Sequence, residues 1–196
     1  MLAGEYMSID VKRILGTALL ELTQKKPLES LTVSQILKET GVSRQTFYNH
    51  FKDKNDLICY VYDTFIVPDF HDQNMNIYFH DSLLVTFENI KKYHWFMKQA
   101  CQMEGQNCLK DYIVDHCQAF DLKWHQELYG KEPMPDALRF ATIYHAHASS
   151  SMTLSWILSD MPVPCEDIVQ MIVEMRELGM DKLFQDSDNS IHPYQK

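Results

Sequence analysis

Residues 32–54 constrain the fold of this chain more tightly than any other segment, because several helix-capping signals occur there close together. Thr32 precedes Gln35 by three residues, which is the spacing of a capping box. Gly41 supplies the left-handed position at which a short helix ends. Ser43 offers the N-cap of a further helix. The segment therefore predicts two short helices joined by a turn of three or four residues, which is a helix-turn-helix.

Helices are also predicted on both sides of this motif. Residues 9–25 carry apolar side chains at the spacing of one helical face, which is typical of a helix packed against a core. Phe47 and Phe51 lie one turn apart and are predicted to anchor the third helix, residues 44–51. Asp53 is placed to cap a fourth helix. The apolar face predicted for the first helix consists of Val11, Ile14, Leu15, Ala18 and Leu22.

The rest of the chain shows a helical pattern as well, so we predict an all-α fold. Only 6 glycines and 7 prolines are present, too few for a loop-rich all-β chain. We predict a three-helix, homeodomain-like helix-turn-helix domain in residues 1–60, a helical bundle in residues 61–184 and a flexible tail in residues 185–196. The helices of the bundle are predicted at residues 82–103, 108–129, 136–159 and 165–184.

The net charge of the chain is −9, yet its distribution leaves the N-terminal part able to bind DNA. Residues 1–60 hold 8 Lys and Arg against 7 Asp and Glu, whereas residues 61–196 hold 10 against 20. Repulsion from the acidic part is screened beyond about 8 Å at physiological salt. No apolar run approaches the ~20 residues that span a bilayer, and no signal peptide is recognisable, so we expect a cytoplasmic protein without membrane contact.

Residues 32–54 closely resemble the DNA-binding domain of the tetracycline-repressor (TetR) family of transcriptional regulators. The likeness lies in the threonine that opens the second helix, in Gly-Val-Ser at the turn, and in Thr-Phe-Tyr-x-His-Phe followed shortly by Asp-Lys. Residues 43–51 and 144–163 are similar to the branch of the family that includes regulators of dihydroxyacetone-kinase operons. The resemblance implies a palindromic double-stranded DNA operator, a homodimer formed through the last two helices, and an effector pocket enclosed by the middle helices.

Polar residues at the start of the third helix are the candidates for contacting DNA bases. A recognition helix in the major groove needs polar side chains near its N-terminal end. Arg44 suits a bidentate contact with guanine, Gln45 suits adenine, and the Thr46 methyl group suits the methyl of thymine. Asn49 is a further candidate for a base contact. The alternative for these residues is an ordinary solvated helix face.

Four more residues are predicted to contact DNA phosphates, by resemblance to the family. They are Thr32, Tyr48, His50 and Lys54. Phosphate contacts fix the register of a protein on DNA without reading the base sequence. We therefore expect changes at these positions to weaken binding to all DNA sequences alike.

The chain after residue 60 holds nine of the 11 methionines and all three tryptophans. Methionine-rich and aromatic linings suit adaptable small-molecule pockets, although the same residue types also build ordinary helical cores. The candidates for an effector pocket are Tyr93, Trp95, Met97, Phe120, Trp124, Tyr144, His147 and Met152.

The sequence carries no motif for catalysis or for metal binding. His145 and His147 are two residues apart and so point about 200° apart around a helix, which prevents both from binding one ion. Phosphate-binding glycine loops and nucleophile elbows are absent, so we expect neither an enzyme nor a cofactor or metal. Five cysteines, none in a C-x-x-C pair, are interpreted as reduced thiols.

The predicted function is sequence-specific transcriptional regulation by a homodimeric repressor that a small-molecule effector releases from its operator. One alternative keeps the DNA binding but makes the protein an activator, or places it under the control of a partner protein. A more remote alternative is an interaction module or enzyme whose helix-turn-helix no longer binds DNA. Salt-dependent DNA binding separates this last alternative from the other two.

Overall fold

The computed structural model describes residues 10–67, 79–130 and 133–185, with side chains as far as residue 180. Every regular element in these ranges is helical, and the predicted all-α fold is confirmed. The α-helices are accompanied by a 3-10 turn, Leu28–Ser30, and by a π-helix, Tyr62–Ile66. The predicted tail lies outside the described residues except for Gln185, which ends the last helix. The α-helices described are α1 (Val11–Thr23), α2 (Val33–Thr40), α3 (Arg44–His50), α4 (Lys54–Val61), α5 (Phe79–Lys92), α6 (His94–Gln102), α7 (Leu109–Tyr129), α8 (Asp136–Leu158) and α9 (Cys165–Gln185).

Helix α1 joins the helix-turn-helix module to the rest of the protein. It packs against α2 and α4 within the module and against α6 outside it. Leu15, Ala18 and Leu22 are buried as predicted, but Ile14 is 40% exposed and its prediction is wrong. Because α1 has neighbours on more than one side, its buried surface extends to Leu19 and turns away from Ile14.

Helices α2 and α3 form the predicted helix-turn-helix with the predicted caps. The Thr32 Oγ1 accepts a hydrogen bond from the Gln35 amide at 3.3 Å, and the Gln35 Oε1 accepts one from the Thr32 amide at 2.9 Å. Gly41 adopts φ 70°, the left-handed conformation that ends α2. The Ser43 Oγ accepts from the Thr46 amide at 3.0 Å and so caps α3. Local sequence therefore determines both ends of the turn.

The region predicted as one helix over residues 82–103 consists of α5 and α6, and the prediction is wrong on this point. The chain leaves helical geometry at Tyr93, with φ −105° and ψ 31°. Helix α5 buries Phe87 and Ile90, whereas α6 buries Phe96 and Met97. In one straight helix these two pairs would point about 100° apart. The break at Tyr93 lets both pairs enter the core.

Helices α7, α8 and α9 form a bundle, and α5 packs on α9. Inside it, Arg176 Nη2 lies 2.6 Å from Asp121 Oδ2, and both side chains are only 4% exposed. His125, one turn after Asp121, is fully buried, and its Nδ1 lies 2.8 Å from Thr142 Oγ1. The Thr142 hydroxyl donates its proton to the Leu138 carbonyl at 2.8 Å. The hydroxyl therefore accepts from His125, which places the imidazole proton on Nδ1.

One buried apolar cluster runs through both parts of the chain. It contains Phe47 and Leu57 of the helix-turn-helix module together with Phe96 and Ile157 of the bundle. The core is therefore continuous across residue 60, and the predicted domain boundary there stays a prediction. Among the described helices, none has both the length and the apolar character that crossing a bilayer requires.

Candidate nucleic-acid interface

Helix α3 presents a polar surface to solvent and an aromatic surface to the core. Phe47 is fully buried, and its ring centre lies 5.7 Å from that of Phe51. This packing fixes the rotation of α3 about its own axis. The side chains left exposed by that rotation are those of Arg44, Gln45, Tyr48, Asn49 and His50, with Thr46 half-buried beside them.

Arg44 stands in the first turn of α3 beside Tyr48. Its guanidinium carbon lies 5.6 Å from the centre of the Tyr48 ring. Its Nη1 and Nη2 atoms are each 3.5 Å from an acceptor, the Ser34 hydroxyl and the Tyr48 hydroxyl respectively. Hydrogen bonds of this length are weak. DNA groups can therefore replace them at little cost, and the five donors of the guanidinium suit a bidentate contact with guanine.

The predicted phosphate-contacting residues Thr32, Tyr48 and His50 are all exposed. Thr32 lies at the N-terminus of α2, where the free amides and the helix dipole favour an anion. Tyr48 is 47% exposed, although its ring edge packs on Phe47 at 5.2 Å between centres. Tyr48 and His50 belong to the exposed surface of α3, and Thr32 begins the helix before it, so all three are accessible to a DNA backbone that flanks a groove-bound helix.

Lys54 has a structural role that the sequence did not reveal. Its Nζ donates hydrogen bonds to the carbonyl oxygens of Leu28 at 2.8 Å, Glu29 at 3.2 Å and Leu31 at 2.8 Å. These acceptors use all three N–H groups of the ammonium. Burial lowers the pKa of Lys54, against the opposing effect of Glu29. The phosphate contact of Lys54 stays a prediction, and it requires the ammonium to leave at least one of these carbonyl oxygens.

The candidate effector residues before α8 lie in two separate places. Met97 is fully buried in the main core, with Tyr93 and Trp95 packed against that core. Phe120 and Trp124 lie on α7 with their ring centres 6.5 Å apart. The indole Nε1 of Trp95 is buried and has no hydrogen-bond partner among the described residues.

The other three candidates lie on the outer surface of α8. Tyr144 is 62% and Met152 is 59% exposed. His147 is also exposed, with its Nε2 at 2.8 Å from Gln118 Oε1. Met152 contributes to an open groove of about 310 Å³ between α8 and α9, whose walls are mainly apolar. This groove contains only Met152 of the predicted set, so the pocket residues stay predictions.

The described residues show no His, Cys, Asp or Glu group of three or more that could hold a metal ion. All five cysteines are free thiols. Burial raises the pKa of Cys59 and of Cys101 to about 12. These two thiols are therefore protonated at neutral pH and are poor nucleophiles.

Family comparisons cover both parts of the chain. The family described as bacterial regulatory proteins of the tetR family matches residues 15–61, and a transcriptional regulator C-terminal region matches residues 78–177. The second match alone spans 100 of the 196 residues. A characterised relative is the HTH-type dhaKLM operon transcriptional activator DhaS of Lactococcus lactis subsp. lactis strain IL1403. It is 22% identical over an alignment of 134 positions that covers 60% of this chain and 68% of that protein.

Solved structures show the same fold. The dihydroxyacetone kinase operon activator DhaS superposes with a TM-score of 0.66 at 20% identity, covering 90% of this chain and 99% of that one. A protein assigned as a TetR-family transcriptional regulator, from Syntrophomonas wolfei strain Goettingen, superposes with a TM-score of 0.54 at 16% identity, covering 86% and 94%. The resemblance carried by residues 32–54, and its branch, are thus confirmed. The chain belongs to the tetR family of bacterial regulatory proteins and is a DNA-binding transcriptional regulator.

Proposed function

We propose that the protein is a homodimer that binds a palindromic operator through its two copies of α3. The observation that carries this proposal is an exposed, largely apolar surface on α8 and α9, whose α8 part has no charged residue. Residues 141–159 contain no Asp, Glu, Lys or Arg. A two-fold dimer brings the same patch of two copies together, so a patch without charge avoids the meeting of like charges.

The same surface is rich in exposed apolar side chains. Of the ten large hydrophobic residues that are exposed in the described part of the chain, seven lie on α8 and α9. Contiguous apolar patches of this kind mark interaction sites in soluble proteins. On α9 they follow one helical stripe. The seven residues are Phe140, Tyr144, Met152, Leu158, Met171, Met175 and Leu178.

The dimer can be tested by placing a charge on this surface. Leu178 is 78% exposed, so Leu178→Glu leaves the isolated subunit intact but introduces a carboxylate into the proposed interface. We expect sedimentation to show dissociation towards monomers. Val85→Glu is the control, because Val85 is 42% exposed and lies on α5, which contributes no residue to this set. A dimer that Leu178→Glu leaves intact would contradict the proposed interface.

The DNA contacts can be tested by selecting binding sites from random DNA. A palindromic site with half-sites about 34 Å apart is expected, because the two recognition helices enter successive major grooves. Arg44→Ala is expected to relax base preference at one position in each half-site and to cost about 1–3 kcal/mol. The control Lys25→Ala removes an equal charge beyond the C-terminal end of α1 and should leave the selected sequence unchanged. Identical losses in both variants would contradict the role of Arg44.

The sign of regulation has two candidates. The sequence predicts a repressor released by a small molecule, whereas the relative DhaS is named as a transcriptional activator, which favours activation. A reporter driven from the selected operator distinguishes them, since a repressor lowers and an activator raises transcription when it is bound. We place the protein in the cytoplasm, because a regulator of this family acts on chromosomal DNA.

A further inference from the structure

Gln99 links the bundle directly to the main chain of the DNA-binding module. Its Oε1 accepts a hydrogen bond from the Leu28 amide at 2.7 Å. Its Nε2 donates to the Thr23 carbonyl at 3.4 Å and to the Trp95 carbonyl of its own helix at 2.9 Å. One carboxamide of α6 thus holds both the end of α1 and the start of the 3-10 turn. The hydrogen bond to the Trp95 carbonyl fixes the orientation of this carboxamide.

The 3-10 turn is also held by α4 of the module itself. Lys54 of α4 donates to three carbonyl oxygens of the Leu28–Leu31 segment. Leu31 is followed directly by Thr32, the N-cap of α2. The turn is therefore tied to α4 by Lys54 and to α6 by Gln99, and its next residue begins the helix-turn-helix.

A second polar contact holds the π-helix into which α4 of the module continues. The Tyr112 hydroxyl of α7 donates to Asp63 Oδ2 at 2.5 Å. His116, one turn further along α7, has its Nδ1 3.7 Å from Asp63 Oδ1. The Tyr62 ring packs edge-on against the Tyr112 ring, with centres 6.3 Å apart. The π-helix therefore places Asp63 against α7. Short π-helices are found frequently at functional sites.

Hydrogen bonds restrict angles as well as distances, whereas apolar contacts have no directional preference. Gln99 holds the module before α2, and Tyr112 holds the π-helix that continues α4 out of the module. These two contacts restrict the tilt of the module on the bundle. In a dimer, the tilt of each module sets the separation of the two α3 helices.

We propose that Gln99 and Tyr112 are positioning residues that set the tilt of the DNA-binding module and thereby the half-site spacing that the dimer accepts. This inference rests on the proposed dimeric binding of an operator. Neither residue contacts DNA in this scheme. Their loss should therefore broaden the accepted spacing while leaving the contacts to bases and phosphates in place.

The experiment compares four variants on operators whose half-sites are moved apart or together by one and two base pairs. Gln99→Leu removes the carboxamide, and Tyr112→Phe removes one hydroxyl. The controls are Gln102→Leu, at an exposed glutamine of α6, and Tyr129→Phe, at the end of α7. The preference is the ratio of the affinity for the best spacing to the affinity for the altered spacings. In the two test variants this ratio should fall about fivefold or more, which is an ordinary size for a coupling between two sites. Affinity for random DNA should stay within about twofold, because the phosphate contacts are intact.

Thermal unfolding of each variant shows whether it is folded. If Gln99→Leu does not fold, Tyr112→Phe carries the test, since it deletes a single oxygen atom. Wild-type spacing preference in folded Tyr112→Phe and Gln99→Leu would overturn the inference while leaving operator binding established. Loss of spacing preference in the controls as well would also overturn it. Failure of the wild-type protein to select any operator is a different result, which overturns the proposed function together with this inference.

Discussion

Removing one member of the buried Asp121–Arg176 ion pair is expected to destabilise the fold strongly. The two side chains are 4% exposed, and their charged atoms are 2.6 Å apart. Arg176 also donates from Nε to the Ser149 hydroxyl at 3.2 Å, and its guanidinium lies 4.7 Å from the centre of the Phe79 ring. Breaking such a pair leaves a buried charge without its partner, which lowers the free energy of unfolding by about 3–5 kcal/mol.

The two single variants are expected to differ in their pH dependence. In Arg176→Met, the remaining Asp121 can take up a proton, and burial raises the pKa of this carboxyl even in the wild type. For each unit by which the pH falls below the raised pKa of Asp121, the variant recovers about 1.4 kcal/mol of its free energy of unfolding. Loss of Arg176 also removes its repulsion of protonated His125, which acts in the same direction at low pH. In Asp121→Leu, by contrast, Arg176 cannot lose its proton, so acid gives no recovery.

Urea denaturation at pH 8 and pH 5 measures these effects, with protein concentration held constant because the stability of the proposed dimer would depend on it. Asp121→Leu combined with Arg176→Met buries no charge and should lie within about 1 kcal/mol of the wild type, or above it. Asp115→Leu, at an exposed position of α7, is the control and should change stability by about 0.5 kcal/mol or less. Single variants that cost under about 1 kcal/mol at pH 8, or that respond equally to acid, would refute the reasoning.

Three further substitutions test other buried contacts. Burial lowers the pKa of His125 to about 3, so the folded state resists its protonation and loses about 1.4 kcal/mol per pH unit as pH falls below about 6.5. His125→Asn should abolish this dependence in thermal denaturation between pH 7.5 and 5, and an unchanged slope contradicts it. Gly179→Ala would place a Cβ 2.2 Å from His145 Nε2. The free energy of unfolding in urea should fall by about 1–3 kcal/mol. An unchanged free energy would show that the His145 side chain moves aside freely. Lys54→Met should lower the free energy of unfolding by about 1–3 kcal/mol, because it removes three hydrogen bonds to carbonyl oxygens. Lys52→Met, at an exposed lysine, is the control and should leave stability unchanged. Equal melting temperatures of the two variants would contradict a stabilising role of these contacts.

The helix-turn-helix was predictable because its signals are local. The capping box of Thr32, the left-handed Gly41 and the Ser43 cap each act within three or four residues. The aromatic anchor Phe47 could be recognised from its spacing to Phe51. Such features depend little on the rest of the fold, so the sequence determined both the ends of the helices and the exposed surface of α3.

The bundle was less predictable because its decisive features are tertiary. Tyr93 breaks the helix although no glycine or proline marks the position, since packing of both α5 and α6 requires a change of direction there. Helical spacing also cannot separate a core methionine from a surface one. Met97 is fully buried and Met152 is 59% exposed, yet both lie on helices that also carry buried apolar residues. The candidate effector residues therefore spread over the core and the outer surface of α8.

Lys54 shows how a local motif conceals a long-range role. Resemblance to the family predicts a phosphate contact, and nothing within a few residues of Lys54 suggests otherwise. Its three carbonyl acceptors lie 23 to 26 residues earlier in the chain. They belong to the 3-10 turn and the residue after it, and the Leu28 amide of the same turn donates to Gln99. A lysine in this position is useful because one ammonium group can hold three carbonyl oxygens, which methionine or leucine cannot do. Lys54 is the last residue of the family motif in the sequence. In the structure it also binds the 3-10 turn, and Gln99 of the bundle binds the same turn.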